Sequence, residues 1–199
     1  MTREEENILA AKSLSGDQAA FGALADAFSA PVFGLLLRLL GNRAEAEDAA
    51  QDVFLRVYKG LATYDPQYPF ISWLLAIAHN RGVDLLKARR HWLVSIDDPE
   101  APLDIEDPVR MGEGLERKLD AVELWRAVDT LPPLWREALL LRHQQDLEYS
   151  EMAAVMNLPL GTVKTILYRA RQALKAMALS GELKLSAPGT VLSEERQKL

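Results

Sequence analysis

The chain has 199 residues, nearly half of them hydrophobic, no cysteine and a net charge of −6. That length holds one domain or two small ones, and the missing thiols exclude disulfides, cysteine nucleophiles, thiolate metal sites and direct cysteine redox sensing. His79, His91 and His143 lie far apart and show no ligand spacing. With no secretory segment, an acidic start from Met1 to Asn7 and no apolar run of membrane-spanning length expected, the expectation is a soluble cytoplasmic protein without membrane insertion.

Helical periodicity dominates, and strand-type alternation of Val, Ile and Thr is missing. The expected fold is all-α, with two small helical domains joined by an acidic flexible linker. The first domain is expected over residues 5–91, with helices at 5–13, 18–40, 43–61 and 70–90. Asp17 and Asn42 are expected as N-caps or turn residues, Gly41 and Gly60 are stops, and Pro66 and Pro69 break the segment TYDPQYP into a loop.

On the third helix Ala46, Ala50, Val53, Val57 and Leu61 share one face, while Asp48, Gln51, Asp52 and Leu55 share the opposite one. An acidic stripe with one apolar residue is either a solvated face or a dock for a basic, partly apolar protein surface. On the fourth helix Ile71, Leu74, Leu75, Ala78 and Leu85 face the core. Trp73, Ile77, Asn80, Asp84 and Lys87 lie opposite, to meet a partner or to pack under the preceding loop. Tyr64, Tyr68, Phe70 and Trp73 stand beside a helix end carrying Lys87, Arg89, Arg90 and His91. Aromatics interleaved with cations capture unstacked bases. Cations at a helix C-terminus also complement its dipole.

Residues 92–114 read as a linker, expected to be extended and self-repelling, with Pro99, Pro102, Pro108, Gly112 and Gly114. From Ser95 to Glu116 eight acids stand against Arg110, a local charge of −7, so the rest of the chain carries about +1 of the total −6. The second domain is expected over 115–180, and the tail 181–199 has little periodicity. In the second domain YSEMAAVM is a short amphipathic helix with small Ala153 and Ala154. Asn157 suits the left-handed turn that ends it, and Pro159 and Gly161 open a longer helix. On that last helix Val163, Leu167, Ala170, Leu174 and Met177 form one apolar stripe. Lys164, Thr165, Tyr168, Arg169, Arg171, Gln172 and Lys175 fall opposite, and no acid interrupts the run from Leu160 to Ser180. Short helix, tight turn and basic helix form the helix-turn-helix pattern, whose second helix enters the major groove. No nucleophile–base set, metal cluster or phosphate-cradling glycine loop is present, so neither catalysis nor a cofactor is expected.

The segment LPPLWREALLLRHQQDLEYSEMAAVMNLPLGTVKTILYRARQAL resembles the fourth conserved domain of bacterial sigma factors. AEDAAQDVFLRVYKGL and PFISWLLAIAHNRGVDLLKARR resemble their second domain. Order and spacing resemble the extracytoplasmic-function (ECF) class, over roughly residues 15–180. The resemblance implies a promoter-specificity subunit of RNA polymerase for a stress or envelope regulon, controlled by an anti-sigma factor. Asp48, Gln51 and Asp52, with Phe54 or Leu55, would dock on the clamp helices of the β′ subunit. Tyr64, Tyr68, Phe70, Trp73, Asn80, Lys87, Arg89 and Arg90 would bind and melt the −10 element of promoter DNA. Thr162, Lys164, Thr165, Tyr168 and Arg169 would face the −35 element, with Arg171 and Lys175 near phosphates. The second domain's apolar surface would meet the β flap. Glu148 stands where the family usually has a Ser or Thr cap, Pro159 stands at the cap of the recognition helix, and Ile166 replaces a frequent Arg. Two further readings are a sigma-like decoy that sequesters an anti-sigma factor and an ordinary helix-turn-helix regulator; the latter leaves Asp48, Gln51, Asp52 and Trp73 without a use.

Overall fold

The computed structural model describes residues 1–88 and 121–180. The remaining residues, which include Arg89, Arg90, the acidic linker and the C-terminal tail, lie outside the described residues. Among the described residues the secondary structure is helical. It comprises α1 (Arg3–Leu14), α2 (Gln18–Leu40), α3 (Arg43–Gly60), a 3-10 turn (Leu61–Thr63), α4 (Phe70–Ala88), α5 (Ala121–Thr130), α6 (Pro133–His143), α7 (Tyr149–Met156) and α8 (Leu160–Leu179).

Local chemistry sets most of the boundaries. Asp17 accepts the Ala20 N–H at 3.1 Å and Asn42 accepts the Glu45 N–H at 3.1 Å, so both act as N-caps. Gly41 closes α2 at φ 68°, in the left-handed region where glycine is strain-free. α1 starts two residues earlier than expected, because Thr2 and Glu5 form a capping box: Glu5 accepts the Thr2 N–H at 2.7 Å and donates its own N–H to the Thr2 hydroxyl at 3.3 Å. α3 ends at Gly60, one residue short of the expected Leu61, where the chain tightens into the 3-10 turn.

α2 is the central element and packs against α1, α3, α4 and α6. By length and composition it could cross a membrane, with a mean hydropathy of 1.7, contrary to the expectation that no such run exists. The fold uses that apolarity internally: Leu24, Phe28, Val32, Leu35, Leu36, Leu39 and Leu40 are all buried. α4 crosses α2 closely at Gly82. A Cβ there would sit 2.6 Å from Leu39 Cδ1 and 3.4 Å from Leu36 Cδ2, and both leucines are fully enclosed. Overpacking of about 1–3 kcal/mol outweighs the helix propensity gained, about 1 kcal/mol. Gly82→Ala is therefore expected to lower the thermal midpoint by several degrees; an unchanged or raised midpoint would show that α2 has room to move.

The two halves pack together. α7 lies on α4, and α6 lies on α2. At this junction Glu137, 0% exposed, places Oε1 2.6 Å from His79 Nδ1, itself buried. A carboxylate only accepts, so Nδ1 carries the proton when Glu137 is ionised. Arg38 of α2 pairs with Asp129 of α5 and lies over the Trp125 ring at 4.7 Å. Leu140 of α6 approaches Gly34 of α2, where an added Cβ would sit 3.8 Å away. Burial pushes the Arg136 guanidinium below its ordinary pKa, with nearby Asp129 opposing. The buried side chains of both halves form one continuous apolar cluster.

Candidate nucleic-acid interface

Three surfaces carry the residues singled out in the sequence. The first is the outer face of α3. Its inner face buries Ala46, Ala49, Val53 and Val57, which turns Asp48, Gln51 and Leu55 outward, Leu55 to 60% exposure. Phe54 is half-buried against the core, so Leu55 is the apolar residue this face presents. Asp52 is committed within the domain: Arg56 Nε donates to its Oδ2 at 3.1 Å, and Arg81 of α4 lies 2.6 Å from the same oxygen. Tyr58 went unread in the sequence and extends the stripe; it is 45% exposed and packs edge-on against Phe21 at 4.9 Å. Its signal was spacing, since 48, 51, 55 and 58 follow one helical face.

The second surface is the loop between the 3-10 turn and α4. Tyr64 and Phe70, expected among the residues that meet bases, both turn inward. Phe70 is fully buried against Phe28 at 5.3 Å, and Tyr64 packs edge-on against it at 5.1 Å. The physical reason is the register of α4, whose first residue turns in toward α2. Trp73 is half-buried on top of both rings, 5.5 Å from Tyr64 and 5.6 Å from Phe70. Tyr68, at 64% exposure, is the aromatic that projects from the loop. Asp65 shapes the turn: its carboxylate accepts the Gln67 N–H at 2.9 Å and its carbonyl accepts the Tyr68 N–H at 3.1 Å. Asn80 and Lys87 are exposed along α4.

The third surface is the helix pair α7 and α8. The Glu151 carboxylate accepts the Glu148 N–H at 2.9 Å, which anchors the start of α7 without a Ser or Thr cap. Asn157 ends α7 at φ 50°, the left-handed geometry that lets α8 turn away at once. Val163, Leu167, Ala170 and Leu174 are buried and Met177 packs beside them; Ile166 joins the buried set. Lys164, Thr165, Tyr168, Arg169 and Arg171 are half-buried on the other flank, while Thr162 and Lys175 are exposed. Of the two small residues in α7, Ala153 packs on the core and Ala154 is exposed.

The comparisons agree with this geometry. Residues 24–91 match Sigma-70 region 2, and residues 121–174 match Sigma-70 region 4. The ECF RNA polymerase sigma factor SigW of Bacillus subtilis is 32% identical, with 80% of this chain and 89% of that protein covered. The chain belongs to the ECF sigma factors. Another relative, the RNA polymerase sigma-H factor of Pseudomonas aeruginosa, is 32% identical over 87% of this chain and 94% of its own. The sigma-E factor of Escherichia coli is 30% identical over 85% and 92%. Among solved structures, CnrH in complex with the cytosolic domain of CnrY superposes with a TM-score of 0.60 at 26% identity, over 88% of this chain and 98% of that one. The sigma factor RpoE of Bartonella quintana, solved with the anti-sigma factor NepR, shares the fold with a TM-score of 0.59 at 21% identity, over 80% and 96%. ECF sigma factors are promoter-specificity subunits of bacterial RNA polymerase, so the chain is a transcription initiation subunit.

Proposed function

We propose that this sigma factor directs core polymerase to the promoters of a stress or envelope regulon, works in the cytoplasm without catalysis of its own, and is held in check by an anti-sigma protein. The observation that carries the reading is one chain with two distinct recognition surfaces: an exposed acidic-apolar face on α3, and a helix-turn-helix whose second helix shows donors and cations opposite its buried stripe. That two of its structural neighbours were solved with CnrY and NepR supports control by such a protein here.

In this reading Asp48, Gln51 and Leu55 meet the β′ clamp helices, Arg81 and Arg56 hold Asp52 at the edge of that face, and Phe54 supports it from beneath. Tyr68, Trp73, Asn80 and Lys87 take the −10 strand, joined by Arg89 and Arg90, while Tyr64 and Phe70 form the floor under them. Binding energy on extruded bases then opens the duplex without ATP. Thr162, Lys164, Thr165, Tyr168 and Arg169 face the −35 major groove, Arg171 and Lys175 face phosphates, and the apolar surface of the second half meets the β flap.

The packed arrangement cannot serve both elements at once. By their names they lie roughly 25 base pairs apart, or about 85 Å of duplex at about 3.4 Å per step. Residues 89–120, on the order of thirty, reach about 100 Å when extended, enough to join separated halves.

The test is transcription in vitro: purified protein added to sigma-free core polymerase on a genomic fragment library, with the RNA 5′ ends sequenced. Initiation at sites sharing two upstream elements is expected. No initiation, together with clean binding to a partner protein, would overturn the reading in favour of a decoy.

A further inference from the structure

α1 lies ahead of the Sigma-70 region 2 match, which begins at residue 24, yet it makes a set of directed contacts to the 64–70 loop. Arg3, Glu6 and Asn7 stand at i, i+3 and i+4 and so share one helix face. The Arg3 guanidinium donates to the Pro66 carbonyl at 3.1 Å and to the Gln67 carbonyl beside it. Burial pushes the Glu6 carboxyl above its ordinary pKa, with the Phe70 backbone at the start of α4 opposing. The Tyr64 hydroxyl lies 2.8 Å from Asn7 Oδ1 and 2.9 Å from the Tyr68 carbonyl.

A phenol has one proton, so it cannot donate to both oxygens. Both contacts are satisfied when Tyr64 donates to the Tyr68 carbonyl and the Asn7 amide, turned with its NH2 inward, donates to the phenol oxygen. The loop is thus held from α1 at Tyr64 and at the Pro66–Gln67 carbonyls, and Tyr64 in turn holds the Tyr68 carbonyl. Its own turn, built by Asp65, spans only the middle of this stretch. The most exposed aromatic of the loop, Tyr68, is the one whose carbonyl is pinned.

We propose that α1 is the brace that holds this loop in the pose that takes a base from the opened strand, with Arg3, Asn7 and Tyr64 as positioning residues for promoter melting. The proposal rests on the sigma-factor reading above. The logic is preorganisation. A loop that occupies the competent pose only part of the time binds its target more weakly by that fraction, so loosening the brace lowers strand capture while leaving every base-contacting side chain in place. Burial, reinforced by nearby Glu6, pushes the Tyr64 phenol above its ordinary pKa and keeps it a donor. Arg3 is exposed and the Tyr64 ring stays packed without its hydroxyl, so neither Arg3→Ala nor Tyr64→Phe removes core volume.

The experiment uses full-length holoenzyme on a promoter at which the wild-type chain initiates. Core affinity, thermal midpoint and permanganate reactivity of the −10 thymines are measured for Arg3→Ala, Arg3→Lys and Tyr64→Phe. The same promoter is then used with a mismatched, already open bubble across the −10 element. Arg3→Ala and Tyr64→Phe are expected to cut open-complex formation about tenfold on duplex DNA and to recover most of it on the bubble, with core affinity and midpoint unchanged. Arg3→Lys should fall between, since one ammonium replaces a fork that serves two carbonyls. Unchanged opening in both variants would overturn the brace, as would an equal loss on duplex and bubble accompanied by weaker core binding. A wild-type chain that opens no promoter would instead overturn the sigma-factor reading itself.

Discussion

Replacing Glu137 with Ala is expected to open the molecule before it unfolds it. The carboxylate is fully enclosed, and its only hydrogen bond among the described residues is to His79; Oε2 has no partner. Removing one member of a buried pair costs about 3–5 kcal/mol, because the other is left polar and dry. Here the chain has an escape that a single-domain protein lacks. If α6 and α7 lift from α2 and α4, His79 returns to water and the penalty vanishes. The loss is therefore capped by whatever free energy holds the halves together. Solution scattering should show a larger radius of gyration for Glu137→Ala, and calorimetry should resolve two transitions. The double variant His79→Leu with Glu137→Leu should stay closed, since a buried polar pair replaced by apolar groups of similar volume is often neutral or stabilising. An unchanged radius with only a lower midpoint would show that the pair serves folding and not the junction.

Reversing Lys164 and Arg169 to Glu should cost the holoenzyme at least about a hundredfold in affinity for duplex carrying the −35 element. Each contact to a base edge or phosphate is worth about 1–3 kcal/mol, and a carboxylate placed against phosphates adds repulsion. Neither position belongs to the buried set of Val163, Ile166, Leu167, Ala170 and Leu174, so the apolar stripe is untouched. Lys164→Ala alone should weaken binding modestly and reduce the salt slope by about one if Lys164 meets a phosphate. Mobility shifts of holoenzyme at several salt concentrations would measure both effects, with core affinity and thermal midpoint as controls. Promoter binding retained by the double reversal would show that α8 does not read the −35 element.

What the sequence disclosed was mostly local. Asp17, Asn42, Gly41 and Asn157 could be read directly because caps and left-handed turns are settled by one or two neighbours. The buried stripe of α8 was equally plain, since period and burial coincide on one helix. What stayed hidden was non-local. α4 buries a second stripe of Leu75, His79, Gly82 and Leu86, against α2 and against the junction with the other half. A helix buried on two sides does not announce which apolar residues are spare, which is why Trp73 and Ile77 left two readings open. Glu137 offered a signal that was missed: with Leu134 and Leu141 it falls on an apolar face at helical spacing, where a carboxylate needs a partner. The inward turn of Tyr64 and Phe70 was hidden because an aromatic in a loop reads as exposed until the register of the next helix is known.

The junction between the halves also bears on competition among sigma subunits for a limited pool of polymerase. If the separated form is the one that engages, apparent affinity for core falls by the fraction of molecules that are separated. Each 1.4 kcal/mol of packing at His79, Glu137 and the Arg38–Trp125–Asp129 contact would then raise about tenfold the concentration needed to displace a resident subunit. Residues that touch neither DNA nor polymerase would in that way set the abundance at which the regulon switches on.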